Sequence, residues 1–169
     1  MIRICFHGAE STGKSVLAAR LSAELGAPWV PEYGREYAET HGTDFTMADL
    51  VAIAAGQDSA MRAAAAGNPP LLILDTDPLM TAVWAEMLFG EVPGVLLGYP
   101  KAELYLEFAA DVPWIGDGTR LFGSASGRER FAAIVHDVLV RTGVPIVTVA
   151  GDWEHRAASV RAAIAKIQF

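Results

Sequence analysis

The chain has 169 residues, a formal net charge of −7 and a pI near 5.0, and its length predicts one domain with a substantial core. The negative charge argues against nucleic acid or a membrane surface as a partner, because both are polyanionic. The single cysteine, Cys5, cannot form an internal disulfide, and neither a signal peptide nor a membrane-spanning stretch is recognisable, so we expect a cytoplasmic protein.

Short apolar runs of strand length alternate with longer segments that favour helices. The predicted strands are 2–7, 29–31, 71–75, 104–108 and 145–150, and the predicted helices are 14–25, 47–66, 78–89, 128–142 and 153–168. The run 71–74 is apolar on both faces, which is typical of a parallel sheet covered by helices on both sides. The pattern predicts an α/β protein with a five-stranded parallel sheet.

Between the first strand and the first helix, residues 8–15 read GAESTGKS, the pattern of a phosphate loop. Gly8 and Gly13 let backbone N–H groups point at phosphate oxygens. Lys14 is expected to reach the β- and γ-phosphates, and Ser15 to bind Mg²⁺. The nucleotide-binding set also includes Glu10, Ser11 and Thr12. The alternative is a glycine-rich turn with an incidental lysine, but the motif favours a nucleotide-binding protein, and among these a kinase.

After the second strand, residues 31–37 read PEYGREY and are predicted to form a loop at the sheet edge where substrates bind. A phosphoryl acceptor needs a base within hydrogen-bond reach of its hydroxyl group. Glu32 or an aspartate within 75–77 supplies such a base, and the sequence does not choose between them. A solvated loop with packed tyrosines is the alternative.

The third strand ends at Asp75, which is the pattern of a carboxylate that orders Mg²⁺ beside a phosphate loop. Asp77 precedes Pro78, and either residue of this short segment fits a catalytic role. The alternative is a helix N-cap, because aspartate is favoured there and proline is favoured in the first helical turn.

Residues 116–127 are rich in glycine and serine and predict a mobile loop over the site, within a lid region of about 114–130. Arg120 is expected to close over the transferring phosphoryl group and to neutralise its charge. Arg128 and Arg130 lie next to this loop, and Arg128 is a second candidate for contact with the nucleotide. The alternative for both is an exposed position at a helix start.

Four blocks in series, GAESTGKS, WVPEYGRE, LLILDTDPL and DVPWIGDGTR, resemble the ribosylnicotinamide kinase domain of the NadR family over nearly the whole chain. The resemblance implies a three-layer α/β/α phosphate-loop fold and transfer of phosphate from ATP to nicotinamide riboside, giving nicotinamide mononucleotide for NAD salvage. It further implies that Gly13, Lys14 and Ser15 hold ATP and Mg²⁺. Asp75 and Asp77 would then face metal and ribose.

The same resemblance places Asp117 and Arg120 in the lid. Bifunctional members of the family carry an adenylyltransferase domain before the kinase, and some carry a DNA-binding segment. Neither segment is recognisable in this sequence, so we expect a single kinase domain over residues 1–169.

Nicotinamide riboside carries a pyridinium cation, which favours aromatic faces and carboxylates. Aromatic candidates for stacking on the ring are Trp29, Tyr33, Tyr37, Trp84 and Trp114, of which Tyr33, Trp84 and Trp114 are preferred. Glu32 and Glu36 would add negative charge. Core packing is the alternative for each aromatic residue.

Two other functions remain open from the sequence. A kinase of another nucleoside would share the phosphate-handling residues, and a regulatory NTPase would hydrolyse ATP without an acceptor. The four histidines lack the spacing of a zinc site, so we interpret them as structural or surface residues. The oligomeric state and the preference between ATP and GTP are not predicted.

Overall fold

The structure is a computed structural model that describes residues 1–167. Its five strands are β1 (Ile2–Gly8), β2 (Trp29–Val30), β3 (Leu71–Asp75), β4 (Leu104–Phe108) and β5 (Ile146–Val149). All pairs are parallel, and the strand order is β2-β3-β1-β4-β5. The predicted five-stranded parallel sheet is therefore confirmed, and each predicted strand agrees with an observed one to within one residue at either end.

The helices are α1 (Lys14–Leu25), α2 (Tyr33–His41), α3 (Met47–Ala65), α4 (Pro78–Phe89), α5 (Gly94–Leu97), α6 (Ala125–Val140) and α7 (Trp153–Ala165). Gln168, the predicted end of the last helix, lies outside the described residues. Helix α6 begins before the predicted residue 128, because the Ser124 hydroxyl accepts a hydrogen bond from Gly127 N at 3.1 Å and caps the helix earlier. No helix in the described part of the chain is long and apolar enough to cross a membrane.

The sheet is covered on both faces, as predicted. On one face, Phe6 and Phe108 stack at 5.3 Å and pack in a core that includes residues of α1 and α7. On the other face, Cys5 and Tyr105 pack in a core that includes residues of α3, α4 and α6. This arrangement confirms the three-layer α/β/α fold, and burial of side chains on both faces explains why the central strands are apolar throughout.

Residues 31–37 were predicted as a loop, but residues 33–37 belong to helix α2, so that part of the prediction is wrong. Gly34 and the preceding proline are typical of a loop, yet α2 packs against α3. A Cβ atom at Gly56 of α3 would lie only 2.2 Å from the Tyr33 ring, so the glycine makes room for this contact. Tertiary packing rather than local propensity thus forms the helix. The short helix α5 was also missed.

Candidate active site

A cavity of about 300 Å³ opens at the carboxyl edge of the sheet, between the phosphate loop (residues 8–15), α2, α3, α4 and α6. One end, here called the charged end, is lined by the phosphate loop with Lys14, Glu32, Arg35 and Arg120. The other end, here called the aromatic end, is lined by Phe45, Trp84 and Phe131 with the aliphatic side chains of Leu50, Ile53 and Met80. The cavity therefore joins a polar, phosphate-sized region to an apolar one.

The structure brings most of the predicted site residues to this cavity. Those that line it are Gly8, Glu10, Ser11, Thr12, Gly13, Lys14, Ser15, Glu32, Asp77, Trp84 and Arg120. Those placed outside the lining are Tyr33, Asp75, Trp114, Asp117 and Arg128. Of the second group, Asp75 and Asp117 lie next to residues that line the cavity, whereas Tyr33 and Trp114 pack elsewhere.

The phosphate loop has a backbone that only glycine fits at two positions. Gly8 has φ of 140°, and a Cβ there would lie 2.5 Å from the Phe108 carbonyl oxygen. Gly13 has φ of 86°, and a Cβ there would lie 2.2 Å from the Trp153 ring. The loop is therefore packed closely against β4 and against the start of α7.

Lys14 is buried and folds back over its own loop. Its Nζ donates hydrogen bonds to the carbonyl oxygens of Gly8 at 2.9 Å and Ala9 at 2.8 Å. Burial lowers the pKa of the Lys14 ammonium, and the charges of Glu32 and Asp75 partly offset this effect. A buried cation that is held by neutral carbonyl oxygens is well suited to attract phosphate oxygens.

Arg156 of α7 holds the phosphate loop from behind, and its side chain is fully buried. Its guanidinium donates to the carbonyl oxygens of Thr12 at 3.3 Å, Gly151 at 2.7 Å and Ala109 at 3.1 Å. It also forms an ion pair with Asp111. One side chain thus ties the loop to the ends of β4 and β5, a role that the sequence did not signal.

Glu32 and Asp75 form an acidic pair beside Lys14. Burial and the nearby Asp75 charge raise the pKa of Glu32 to about 7. Burial also raises the pKa of Asp75, against the lowering effects of the Ser15 hydroxyl and Lys14. Two carboxylates that disfavour each other's charge in this way attract a proton or a cation.

Ser15 and Asp75, the predicted metal ligands, fit a divalent cation in their chemistry. Oδ1 of Asp75 is buried and has no hydrogen-bond partner within residues 1–167. A hydroxyl and a carboxylate are hard oxygen donors of the kind that Mg²⁺ takes next to phosphates. The orphaned oxygen is the observation that supports such a site.

Asp77 is buried in a hydrogen-bond network. Its Oδ1 accepts from Leu79 N at 2.9 Å and lies 2.9 Å from His7 Nε2, and its Oδ2 accepts from Tyr105 OH at 2.8 Å. Burial alone would raise the pKa of Asp77, but the combined effects of His7, Tyr105 and the Leu79 amide hold it below its usual value. Asp77 is therefore an oriented, ionised hydrogen-bond acceptor and also the N-cap of α4.

His7 was interpreted as structural or surface, and the structure places it fully buried under the site floor. Ligand atoms of Cys5, His7 and Asp77 lie within 4.8 Å of one another. Because His7 Nε2 and Asp77 Oδ1 lie at a hydrogen-bonding distance of 2.9 Å, we interpret the group as a hydrogen-bond network. Because His7 and Tyr105 lie on interior strands, no sequence motif distinguishes them from core residues.

Gln57 of α3 joins the ends of two strands below the cavity. Its Oε1 accepts from Tyr33 N at 2.7 Å, and its Nε2 donates to the carbonyl oxygens of Pro31 at 3.3 Å and Thr76 at 3.4 Å. Thr76 has φ of 74°, a strained conformation for a β-branched residue. Strain of this kind is found at functional sites whose surroundings enforce it, and here it turns the chain between Asp75 and Asp77.

At the aromatic end, Trp84 is the centre of a ring cluster. Its ring centroid lies 6.4 Å from Phe45, 5.5 Å from Phe122 and 5.2 Å from Phe131. The prediction chose tryptophans and tyrosines near the motifs and missed these phenylalanines, which come from α6 and from segments outside every motif.

Other aromatic candidates pack away from the cavity. The Tyr33 ring lies on α3 at Gly56, and the Trp114 ring packs on Gly116 and Gly123 within its own loop. Trp29 of β2 packs against the hydrophobic core on the α1 and α7 face of the sheet. Tyr37 OH donates a hydrogen bond to Asp49 at 2.6 Å. Neither Tyr33 nor Trp114 lines the cavity, and their contacts with a ligand ring stay predictions.

The lid, defined here as residues 114–124, is irregular, whereas residues 125–127 at the end of the predicted irregular span belong to α6. Asp117 pairs with Arg35 Nη1 at 2.7 Å and with Arg120 Nε at 3.1 Å. Burial alone would raise the pKa of Asp117, but hydrogen bonds from Arg35 and Thr119 hold it well below its usual range. Asp117 therefore holds two cavity arginines rather than lining the cavity itself.

Arg128 of α6 also stays outside the lining. Its Nε and Nη2 are buried and have no hydrogen-bond partner in the described part of the chain. These free donors keep the guanidinium available for an anion near the lid, although the side chain does not reach the cavity surface.

Comparison with known proteins agrees with this architecture. A family model described as an AAA domain matches residues 3–156. The trifunctional NAD biosynthesis/regulator protein NadR of Escherichia coli (strain K12) is 28% identical over 153 residues, which are 86% of this chain and 37% of that protein. The chain thus spans less than two-fifths of this relative.

Two solved structures share the fold. A NadR protein in complex with NR superposes with a TM-score of 0.78 at 24% identity, covering 99% of this chain and 51% of the other. A deoxyadenosine kinase from M. mycoides superposes with a TM-score of 0.71 at 12% identity, covering 98% and 100%. The resemblance to NadR proteins and the phosphate-loop kinase fold are confirmed. Because the family model covers most of the residues, this protein belongs to the AAA domain family.

Proposed function

We propose that this protein transfers the γ-phosphoryl group of ATP to the 5′-hydroxyl of nicotinamide riboside, giving nicotinamide mononucleotide. The observation that carries the proposal is one cavity with a phosphate loop at its charged end and Trp84 at its aromatic end. The names of the similar proteins, which refer to NAD biosynthesis and to NR, agree with it.

The charged end would hold the nucleotide. Backbone N–H groups near Gly13 and the ammonium of Lys14 would bind the phosphates, and Ser15 with Asp75 would hold Mg²⁺. When bound, Mg²⁺ supplies charge neutralisation at the transferring phosphoryl group. Lys14 would then exchange its two carbonyl contacts for phosphate oxygens, because charge-assisted hydrogen bonds are the stronger ones.

Glu32 is the proposed general base, one of the two alternatives that the sequence left open. A base works best when its pKa lies near the working pH, and the pKa of Glu32 is raised to about 7. Asp77 has a lowered pKa and both of its oxygens accept hydrogen bonds, so it is a weak base. We assign Asp77 to orienting the acceptor ribose through the remaining acceptor capacity of Oδ2.

Arg120 and Arg35 would face the phosphates from the lid side. Both line the cavity, and Asp117 holds them together. Cations placed in advance at the position where charge develops lower the barrier without reorganisation during the reaction. Arg128, with its free donors, would assist at the outer phosphates of ATP.

The pyridinium ring would lie against Trp84 at the aromatic end. A cation on a tryptophan face gains about 0.5–2 kcal/mol, depending on how far it is desolvated. The negative charges of Glu32 and Asp77 on the cavity wall favour a cationic acceptor over a neutral one. A neutral nucleoside would keep the stacking but lose this attraction.

The test is ADP release with Mg-ATP and separate acceptors: nicotinamide riboside, uridine, cytidine, adenosine and none. We expect selective stimulation by nicotinamide riboside, with nicotinamide mononucleotide formed in equal amount. Selective stimulation by a neutral nucleoside would reject the acceptor assignment and retain a nucleoside kinase. Hydrolysis independent of any acceptor would instead identify a regulatory NTPase.

A further inference from the structure

Glu10 is a carboxylate inside the phosphate loop, in a place where a phosphate is expected to bind. An ionised carboxylate only accepts hydrogen bonds and repels phosphate oxygens. The sequence assigned Glu10 to the nucleotide, but its structural partners lie elsewhere. The contacts of the Glu10 side chain therefore indicate a role other than nucleotide binding.

The Glu10 carboxylate binds the backbone of the lid. Leu121 N donates to its two oxygens at 3.1 and 3.0 Å, and Phe122 N donates to Oε2 at 2.9 Å. The adjacent Ser11 hydroxyl accepts from Ile115 N at 2.8 Å. The phosphate loop and the lid are thus joined by hydrogen bonds between residues more than 100 positions apart in the chain.

The two amides bound by Glu10 belong to lid residues that are connected to both ends of the cavity. Leu121 follows Arg120, whose side chain lines the charged end. Phe122 packs behind the aromatic end, with its ring 5.5 Å from Trp84 and 5.9 Å from Phe131. Holding Leu121 and Phe122 in place therefore restricts the neighbouring Arg120 at the charged end. It also supports the aromatic end, because the Phe122 ring packs against Trp84 and Phe131.

Charged neighbours also favour this contact. Burial is the largest effect and leaves the pKa of Glu10 above its usual value, although hydrogen bonds from the Phe122 and Leu121 amides and the charges of Lys14 and Arg120 lower it. Hydrogen bonds from amides to an ionised carboxylate are stronger than those to a neutral group. Hydrogen bonds to the Glu10 carboxylate consequently hold the lid on the phosphate loop.

We propose that Glu10 is a positioning residue that holds the lid on the phosphate loop and thereby sets Arg120 and Phe122 in register with the two substrates. This inference rests on the proposed kinase function for its effect on rate. The lid contact itself can be measured without any substrate.

The first measurement is amide hydrogen exchange of residues 115–122 in wild type, Glu10→Ala, Glu10→Gln and the control Glu39→Gln, an exposed carboxylate on α2. We expect exchange at Leu121 and Phe122 to rise at least about tenfold in Glu10→Ala, because both amides lose their carboxylate acceptor. Glu10→Gln keeps one oxygen acceptor and should give an intermediate rise. The control should match wild type.

The second measurement is steady-state kinetics of the same proteins with nicotinamide riboside. We expect kcat to fall about tenfold or more in Glu10→Ala with less than about threefold change in KM for ATP, and partial rescue in Glu10→Gln. Wild-type exchange together with wild-type kcat in Glu10→Ala would overturn the inference. A loss of ATP affinity with unchanged exchange would also overturn it, since Glu10 would then act on the nucleotide.

The two proposals fail in different ways. If wild type phosphorylates no nucleoside but Glu10→Ala still exposes the lid amides, the proposed function is wrong and the lid contact stands. If wild type is an active nicotinamide riboside kinase and the amides do not respond, the lid contact is wrong and the function stands.

Discussion

The charged end and the aromatic end of the cavity are built in different ways. The charged end comes largely from consecutive residues, 8–15, whose backbone forms the site. The aromatic end is assembled from Phe45, Trp84 and Phe131, which are far apart in the chain. A site made of backbone needs a fixed local sequence, whereas a wall of side chains needs only apolar residues of suitable size.

This difference has a consequence for substitution. Single changes at the charged end remove groups that bind charge directly, so we expect large effects. Changes at the aromatic end leave neighbouring rings that partly replace the lost surface, so we expect smaller effects.

The largest effect is expected for Lys14→Ala, which removes the ammonium from the phosphate loop. We expect kcat/KM to fall by at least about a hundredfold with every acceptor, because a preorganised charge at the phosphates is lost. The measurement is initial-rate ADP release, with Lys166→Ala at an exposed position as the control. Wild-type kcat/KM in Lys14→Ala would show that the loop does not bind the transferred phosphate.

The second largest effect is expected for the proposed general base, Glu32. Glu32→Gln should lower kcat about a hundredfold or more with little change in KM, because general bases contribute this much to rate. Asp77→Asn should lower kcat less and raise KM for the riboside, since we assign it to orientation. The comparison is made by full saturation kinetics, and the opposite order of the two kcat losses would move the base to Asp77.

The pH dependence follows from the raised pKa of Glu32, which is about 7. A base must be ionised to act, so kcat/KM should increase about tenfold per pH unit below pH 7 and level off above it. In Glu32→Gln this increase should disappear while the residual rate remains measurable. A wild-type profile that is flat from pH 5.5 to 8 would contradict the assignment.

The smallest effect is expected at the aromatic end. Trp84→Ala should raise KM for nicotinamide riboside about twofold to thirtyfold, the range that matches loss of a cation–π contact. Trp84→Phe should keep most of the affinity, and Trp114→Phe in the lid serves as the matched control. Equal KM values for Trp84→Ala and wild type would place the pyridinium ring elsewhere.

Much of the fold could be predicted from sequence because its signals are local. Five apolar runs give the strands, and the phosphate loop with its following helix gives the first α/β unit. Helix α2 could not be predicted, because its stability depends on contact with α3 through the space at Gly56. The early start of α6 depends on a single capping hydroxyl, that of Ser124.

Site residues that belong to a sequence motif could be predicted. Site residues that are brought together only by tertiary packing could not. Gly8, residues 10–15, Glu32, Asp77 and Arg120 line the cavity as expected. His7, Tyr105 and Gln57 were missed, because on interior strands and helices they look like ordinary core residues. Their importance lies in hydrogen bonds between distant segments, which only the folded chain reveals.

The buried guanidinium of Arg156 bears on how readily a nucleotide binds. By holding the Thr12 carbonyl against the ends of β4 and β5, it makes the phosphate loop part of the rigid frame. The conformational entropy of that loop is therefore lost when the chain folds and not when ATP arrives. A loop prepared in this way should bind polyphosphate with a small entropic penalty, and loosening the distant sheet edge should weaken nucleotide binding without touching any ligand contact.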